Sequence, residues 1–159
     1  MHTLILAALL AQAQPASIEV KLADGAGNPV GTATLTQTAH GVLIAADLHD
    51  MKPGKHAIHL HETGKCEGPA FKSAGGHFNP AKKQHGFMTA EGPHAGDLPN
   101  IDVGPEGKAR AELIAGDASL DALQANGAAL VLHAKADDYN TQPAGDAGDR
   151  VACGVIQEQ

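Results

Sequence analysis

His59 and His61 stand two apart in Ala57-Ile58-His59-Leu60-His61, an alternating stretch of the kind that forms a β-strand. Successive strand side chains point to opposite faces, so imidazoles at i and i+2 leave the same face and can reach one ion. A single histidine is more often a surface or hydrogen-bonded imidazole than a ligand, so the pair gains weight only from its company. That company is His77 in Gly75-Gly76-His77-Phe78-Asn79-Pro80, His85 eight residues on, His94 nine after that, Asp97 three further, and His133 at the end of another alternating stretch. Imidazole and carboxylate without free thiolate suit copper and zinc better than calcium or magnesium. Two four-coordinate ions need eight donor positions, and these seven residues supply eight only if one imidazole binds through both nitrogens. Otherwise one position stays open, so the arithmetic leaves a bridge undecided.

The elements that must position these groups follow a period of two rather than 3.6. In 17–22, Ile18, Val20 and Leu22 alternate with Glu19 and Lys21, and the same alternation runs through 30–36, 41–48, 56–61, 108–114, 128–134 and 151–156. Asp24-Gly25, Gly27-Asn28-Pro29, Lys52-Pro53-Gly54, Gly104-Pro105-Glu106-Gly107 and Ala125-Asn126-Gly127 are turn signals between them. Short strands with close turns predict an all-β sandwich or barrel, with one helical turn at 117–123. Segments 62–100 and 135–150 carry glycine, proline, histidine and charge without a strand pattern. Loops of that length in a compact domain need something to offset their conformational entropy, and metal ligation or a disulfide is the physical candidate.

The chain of 159 residues and 16.2 kDa has room for one ordinary core. Hydrophobic residues make up 43%, but no apolar run reaches the length of roughly 20 residues that a spanning helix needs, so no membrane core is expected. A formal charge of -7 is the wrong sign for a protein held to phosphates, so no nucleic-acid partner is expected. The apolar stretch 3–11 and the small-x-small Ala11-Gln12-Ala13 predict a signal peptide over 1–13, although Met1-His2-Thr3 lacks a basic residue, leaving 14–159 as the domain. Two cysteines in a small exported domain are most simply one disulfide.

Taken together the chain resembles an exported bacterial copper,zinc superoxide dismutase. The stretches that carry the likeness are Ala57-Ile58-His59-Leu60-His61-Glu62, Gly76-His77-Phe78-Asn79-Pro80, the spacing through His85 and His94 to Asp97, Val131-Leu132-His133-Ala134-Lys135-Ala136-Asp137-Asp138, and Gly145 to Ile156 with Arg150 and Cys153. They cover most of the chain after residue 55 in family order. The resemblance implies an eight-stranded Greek-key β-barrel with two long functional loops, and one copper and one zinc ion per chain. It implies copper at His59, His61, His77 and His133, zinc at His77, His85, His94 and Asp97, and His77 as the bridging imidazolate and a catalytic residue. Asp137 would hydrogen-bond ligand imidazoles of both sites, a Cys66 to Cys153 disulfide would tie two segments together, and Arg150 would stand beside copper and bind the anionic substrate. Three positions depart from the family: Ala57 stands for the usual glycine, Lys65 for a small or acidic residue, and Thr63 for an aromatic one.

The implied activity is conversion of superoxide to dioxygen and hydrogen peroxide, in the periplasm or outside the cell. Two one-electron steps need a metal with two accessible oxidation states, which copper has and zinc lacks. Capture of an anion by an acidic protein depends on the local field, which Arg150 and some of Lys65, Lys72, Lys82, Lys83 and Lys135 would supply. Exported members include monomers and homodimers. The alternatives are an exported copper-binding or copper-delivering protein of the same fold, a copper-only dismutase and a metal-stabilised binding domain. The first would need thiol or thioether donors, the second would lack zinc ligands, and the third would be expected to lose Arg150 or a copper ligand.

Overall fold

Alternation becomes burial in the computed structural model, which describes residues 15–125 and 127–157. The expected signal segment lies outside the described residues. In β1 (Ser17–Asp24), Ile18, Val20 and Leu22 are buried while Ser17, Glu19 and Lys21 face solvent. β2 (Pro29–Thr38) and β3 (Gly41–Leu48) continue the meander. β4 (Gly54–His56), β5 (Ile58–His61), β6 (Ile101–Val103), β7 (Ala109–Ala115), β8 (Ala128–His133) and β9 (Arg150–Ile156) follow, with a short helix α1 (Leu120–Ala125). Seven strands form one curled sheet in the order β5-β8-β9-β1-β2-β3-β7, and β4 pairs with β6. Every named strand pairing is antiparallel, and β9 returns to lie beside β1 with β8 on its other side, as in a Greek key.

The single strand expected at 56–61 is two strands, because Ala57 changes partners. Its N–H donates to the Lys135 carbonyl at 2.8 Å and its carbonyl accepts from His133 N–H at 2.9 Å, while the flanking residues pair with β6 and β8. The chain thus turns a corner between sheets. With the β4–β5 run counted as one bent strand, the nine strands among the described residues are the eight expected. β6 is three residues long, too short to show a period in sequence. The helical turn expected at 117–123 is α1, displaced toward the C-terminus because Ser119 caps it, its hydroxyl accepting from Ala122 N–H.

The interior is aliphatic. Leu22, Leu35, Ile44, Ile58, Leu60, Leu130, Leu132 and Ile156 are all essentially inaccessible and belong to one cluster, each stabilising the fold by about 1.5–3 kcal/mol. β5 and β8 are buried on both faces. Their second face is covered by the 62–76 segment, whose Phe71 and Ala74 pack with Ala129, Val131, Cys153 and Cys66 in a small cluster of their own. The sheet end that carries His59, His61 and His133 is therefore covered by loop rather than open to water.

Candidate metal centre

His59 and His61 lie on β5 and His133 closes β8, the strand beside it. The long segment reaches them because it hydrogen-bonds to the β5 backbone. Phe78 N–H donates to the Leu60 carbonyl at 2.8 Å, Leu60 N–H to Gly96 at 2.9 Å, and Gly96 N–H to Phe78 at 2.8 Å. Bridges pair His61 with His77 and His59 with Asp97. Gly96 is required at this crossing, since a Cβ there would run into the Leu60 carbonyl and lie 2.9 Å from Phe78 N.

Two groups of donors result, His59, His61, His77 and His133 in one and His77, His85, His94 and Asp97 in the other. Six of the seven residues are buried and the His94 side chain is 11% exposed, each group has its ligand atoms within 4.8 Å of one another, and His77 belongs to both. Neutral imidazole carries one N–H, so a ring nitrogen facing an oxygen acceptor fixes which nitrogen keeps a lone pair. His61 Nδ1 donates to the Gly75 carbonyl at 3.0 Å and His133 Nδ1 to Gly148 at 3.3 Å, and their Nε2 atoms face each other at 3.4 Å. His59 Nε2 donates to Asp137 Oδ2 at 2.8 Å, leaving a buried Nδ1 with no hydrogen-bond partner. His85 Nε2 donates to Asp137 Oδ1 at 3.0 Å, and its Nδ1 likewise has no hydrogen-bond partner, though Asp97 Oδ1 lies 3.0 Å away. His77 presents Nδ1 to Asp97 Oδ1 at 2.7 Å, and its Nε2 has no partner. Unpartnered buried nitrogens aimed into clusters of further donors fit metal ions, whose ligating histidines are held through the other ring nitrogen.

Charge follows burial. Desolvation holds His59 down to about 4, His61 to about 2 and His133 to about 3, with His77 and His59 as adding neighbours, so these rings are neutral at pH 7. Burial also opposes charge on His85, but the Asp137 and Asp97 carboxylates outweigh it and raise the ring to about 9. Burial would raise Asp97 and Asp137, yet imidazole and backbone donors hold both below the usual carboxylate range. Asp97 Oδ2 accepts from Gly86 N–H at 2.8 Å and His94 N–H at 3.0 Å, which aims Oδ1 at the histidines.

Arg150 joins the first group through a bulge. Between Leu132 and His133 the β8–β9 register slips so that His133 pairs with Arg150, while Val151 packs against the main core. The guanidinium donates from Nη1 to the Phe71 carbonyl at 2.7 Å and from Nη2 to the Gly75 carbonyl at 2.6 Å, the same oxygen that anchors His61. It lines an open depression with Pro69, Ala70, Lys72, Gly148 and Asp149. Cys66 and Cys153 are bonded, Cα to Cα 5.6 Å, and tie this loop to β9. Of the other lysines, Lys83 pairs with Asp117 and Lys135 with Asp146.

Sequence reasoning missed the supports. Asn100 exchanges hydrogen bonds with the Asp137 backbone, and Gln142 does the same with the His85 backbone. Both are single side chains in loops, with no spacing to mark them. His56, read from sequence as packing, is buried with its ring between the carbonyls of His133 and Lys52.

Comparison with known proteins agrees with this geometry. A family model described as copper/zinc superoxide dismutase (SODC) matches residues 30–156. "Superoxide dismutase [Cu-Zn] 1" of Aquifex aeolicus is 43% identical over 152 residues, covering 91% of this chain and 90% of its own. "Superoxide dismutase [Cu-Zn]" of Caulobacter vibrioides is 44% identical over 141 residues, 84% of this chain and 81% of its own. The crystal structure of a SOD-like protein from Bacillus subtilis superposes with a TM-score of 0.83 at 39% identity, covering 87% of this chain and 97% of that one. A match over so much of the chain, at these identities, places the protein in the copper/zinc superoxide dismutase family.

Proposed function

We propose that this superoxide dismutase holds copper through His59, His61, His77 and His133 and zinc through His77, His85, His94 and Asp97, one ion of each per chain. The observation that carries the assignment is His77: it belongs to both groups, its Nδ1 turned to Asp97 and its Nε2 unpartnered among the other group's donors. When bound, copper supplies the one-electron exchange that superoxide dismutation needs and zinc supplies fixed charge. The chain's own groups prepare that chemistry. Burial keeps His59, His61 and His133 neutral, so their lone pairs are available without first shedding a proton. Asp137 fixes the orientation of one histidine in each group, His59 and His85. Nε2 of His77 is the atom at which a proton can be held beside the reacting anion, because Nδ1 is committed to the Asp97 side.

Arg150 is the anion-binding group, fixed by two carbonyls and opposite His133, and Lys72 adds positive charge to the same depression. A copper-delivering role is less well supported. The two cysteines are bonded to each other and Met51 is buried in the core, which leaves Met88 as the one exposed soft donor among the described residues, too few for a Cu(I) transfer site. The disulfide and the 1–13 segment support export, with 14–159 as the mature domain. The test is elemental analysis with dismutase assay before and after chelation. One copper and one zinc per chain with activity lost on chelation is expected, and a single bound ion after full loading would sink the two-site assignment.

A further inference from the structure

Arg150 is clamped by two carbonyl oxygens, and both belong to residues with positive φ. One is Gly75, φ 74°, where the absence of a Cβ makes that conformation easy. The other is Phe71, φ 52° and ψ 28°, where a bulky side chain makes it rare. Something outside the local backbone must hold Phe71 there. The ring is 2% exposed and packs with Ala74, Ala129, Val131, Cys153 and Cys66, on the rung of sheet where Val131 pairs with His59 on one side and Cys153 on the other. The carbonyl of Phe71 also accepts from Ala74 N–H at 3.1 Å, closing the 3-10 turn Lys72–Ala74 that runs from one clamp to the other.

We propose that Phe71 is a positioning residue for anion binding: its ring, locked in the cluster beside the disulfide, holds residue 71 in the left-handed conformation that turns its carbonyl onto Arg150 Nη1. Removing the ring leaves the chain free to relax residue 71 toward right-handed or extended backbone, which swings the carbonyl away. Arg150 then keeps only the Gly75 carbonyl, which it shares with His61. A guanidinium with one anchor samples more directions and presents its remaining N–H groups to an anion less often.

This rests on the assignment of Arg150 as the anion-binding group, and the test separates the two. The probe is azide, titrated by visible absorption into copper- and zinc-loaded protein at measured metal content. Phe71→Ala should raise the azide Kd about threefold to tenfold with copper and zinc unchanged, and Phe71→Leu, which refills the cluster, should stay within about twofold of the native value. Arg150→Ala should raise the Kd at least as far, and adding Phe71→Ala to it should change the Kd no further, because the clamp then has nothing to hold. Phe71→Val gives the same reading should the alanine variant fail to load metal, since it also removes the ring and a β-branched residue resists the left-handed backbone more strongly than alanine. Native azide affinity in Phe71→Ala or Phe71→Val, or an undiminished effect in the Arg150→Ala background, overturns the positioning role. An Arg150→Ala variant that binds azide like the native protein removes the Arg150 assignment itself, and the proposal with it.

Discussion

His59, His61 and His133 cannot easily carry charge where they sit. Burial holds them near 4, 2 and 3, so between pH 6.5 and those values the unfolded chain binds protons that the folded chain does not. Their contribution to the stability of metal-free protein is present above 6.5 and is lost as pH falls. His85 has the opposite sign. Raised to about 9, it contributes stability that is complete below 6.5 and lost as pH rises through 9. Metal-free protein should therefore be most stable near pH 6.5, falling on the acid side by at most about 1.4 kcal/mol per pH unit for each histidine engaged. Urea midpoints from about pH 5 to pH 9 check this, and a midpoint that rises steadily toward acid would contradict it. Loaded protein gives a sharper test of roles. His133→Ala removes a donor from one group only, so copper affinity and activity should fall by about 100-fold or more while zinc stays bound. Asp137→Asn leaves one acceptor oxygen for His59 and His85 together, so affinity for at least one ion should fall about 10- to 100-fold, read by competition with a chelator.

At the level of elements, the ligands proposed for copper were legible because strands have a short period: two residues apart on β5 means the same face, and β5–β8 pairing brings His133 alongside. The ligands proposed for zinc stood out as residue types, but no local rule fixes how a loop of this length folds back. Its course is set by hydrogen bonds from Phe78, Leu60 and Gly96, and by Asn100 and Gln142 clamping the second loop, pairings that exist only in three dimensions. Arg150 was visible by its spacing to Cys153, whereas the bulge that turns it toward His133 was not, because an extra residue leaves little trace in a seven-residue strand. The Cys66–Cys153 bond closes a loop of 87 residues in sequence separation. In the chain-entropy model such a crosslink stabilises by about 4–5 kcal/mol. Thiol titration of unreduced, unfolded protein should find no free thiol, and Cys66→Ser with Cys153→Ser should lower the urea midpoint of metal-free protein. Two reactive thiols in the native protein would contradict both the pairing and the inferred export.

Across the whole molecule the charge of -7 opposes an anionic substrate, so capture must rest on where the positive groups stand rather than on how many there are. Several are spent elsewhere: Lys55 pairs with Asp102, Lys83 with Asp117, Lys135 with Asp146 and Arg110 with Asp47, all exposed and worth little to the fold. Arg150 differs in being half-buried and tied to two carbonyls, with Lys72 at the same depression and Asp149 as the opposing charge. Burial lowers the arginine's pKa, but a guanidinium keeps its proton throughout the working range. If this local field guides superoxide, Arg150→Glu should reduce activity per bound copper more than Arg150→Ala, because reversal adds repulsion to the loss of a donor. Both variants should keep copper and zinc, as arginine has no lone pair to donate to either. Raising salt from about 0.01 M to 0.1 M shortens the screening length from about 30 Å to about 10 Å and should slow the native enzyme more than Arg150→Ala, which has less attraction to screen. Equal salt dependence in the two, with activity falling only in proportion to lost copper, would make Arg150 a structural post and move the guiding charge to Lys72.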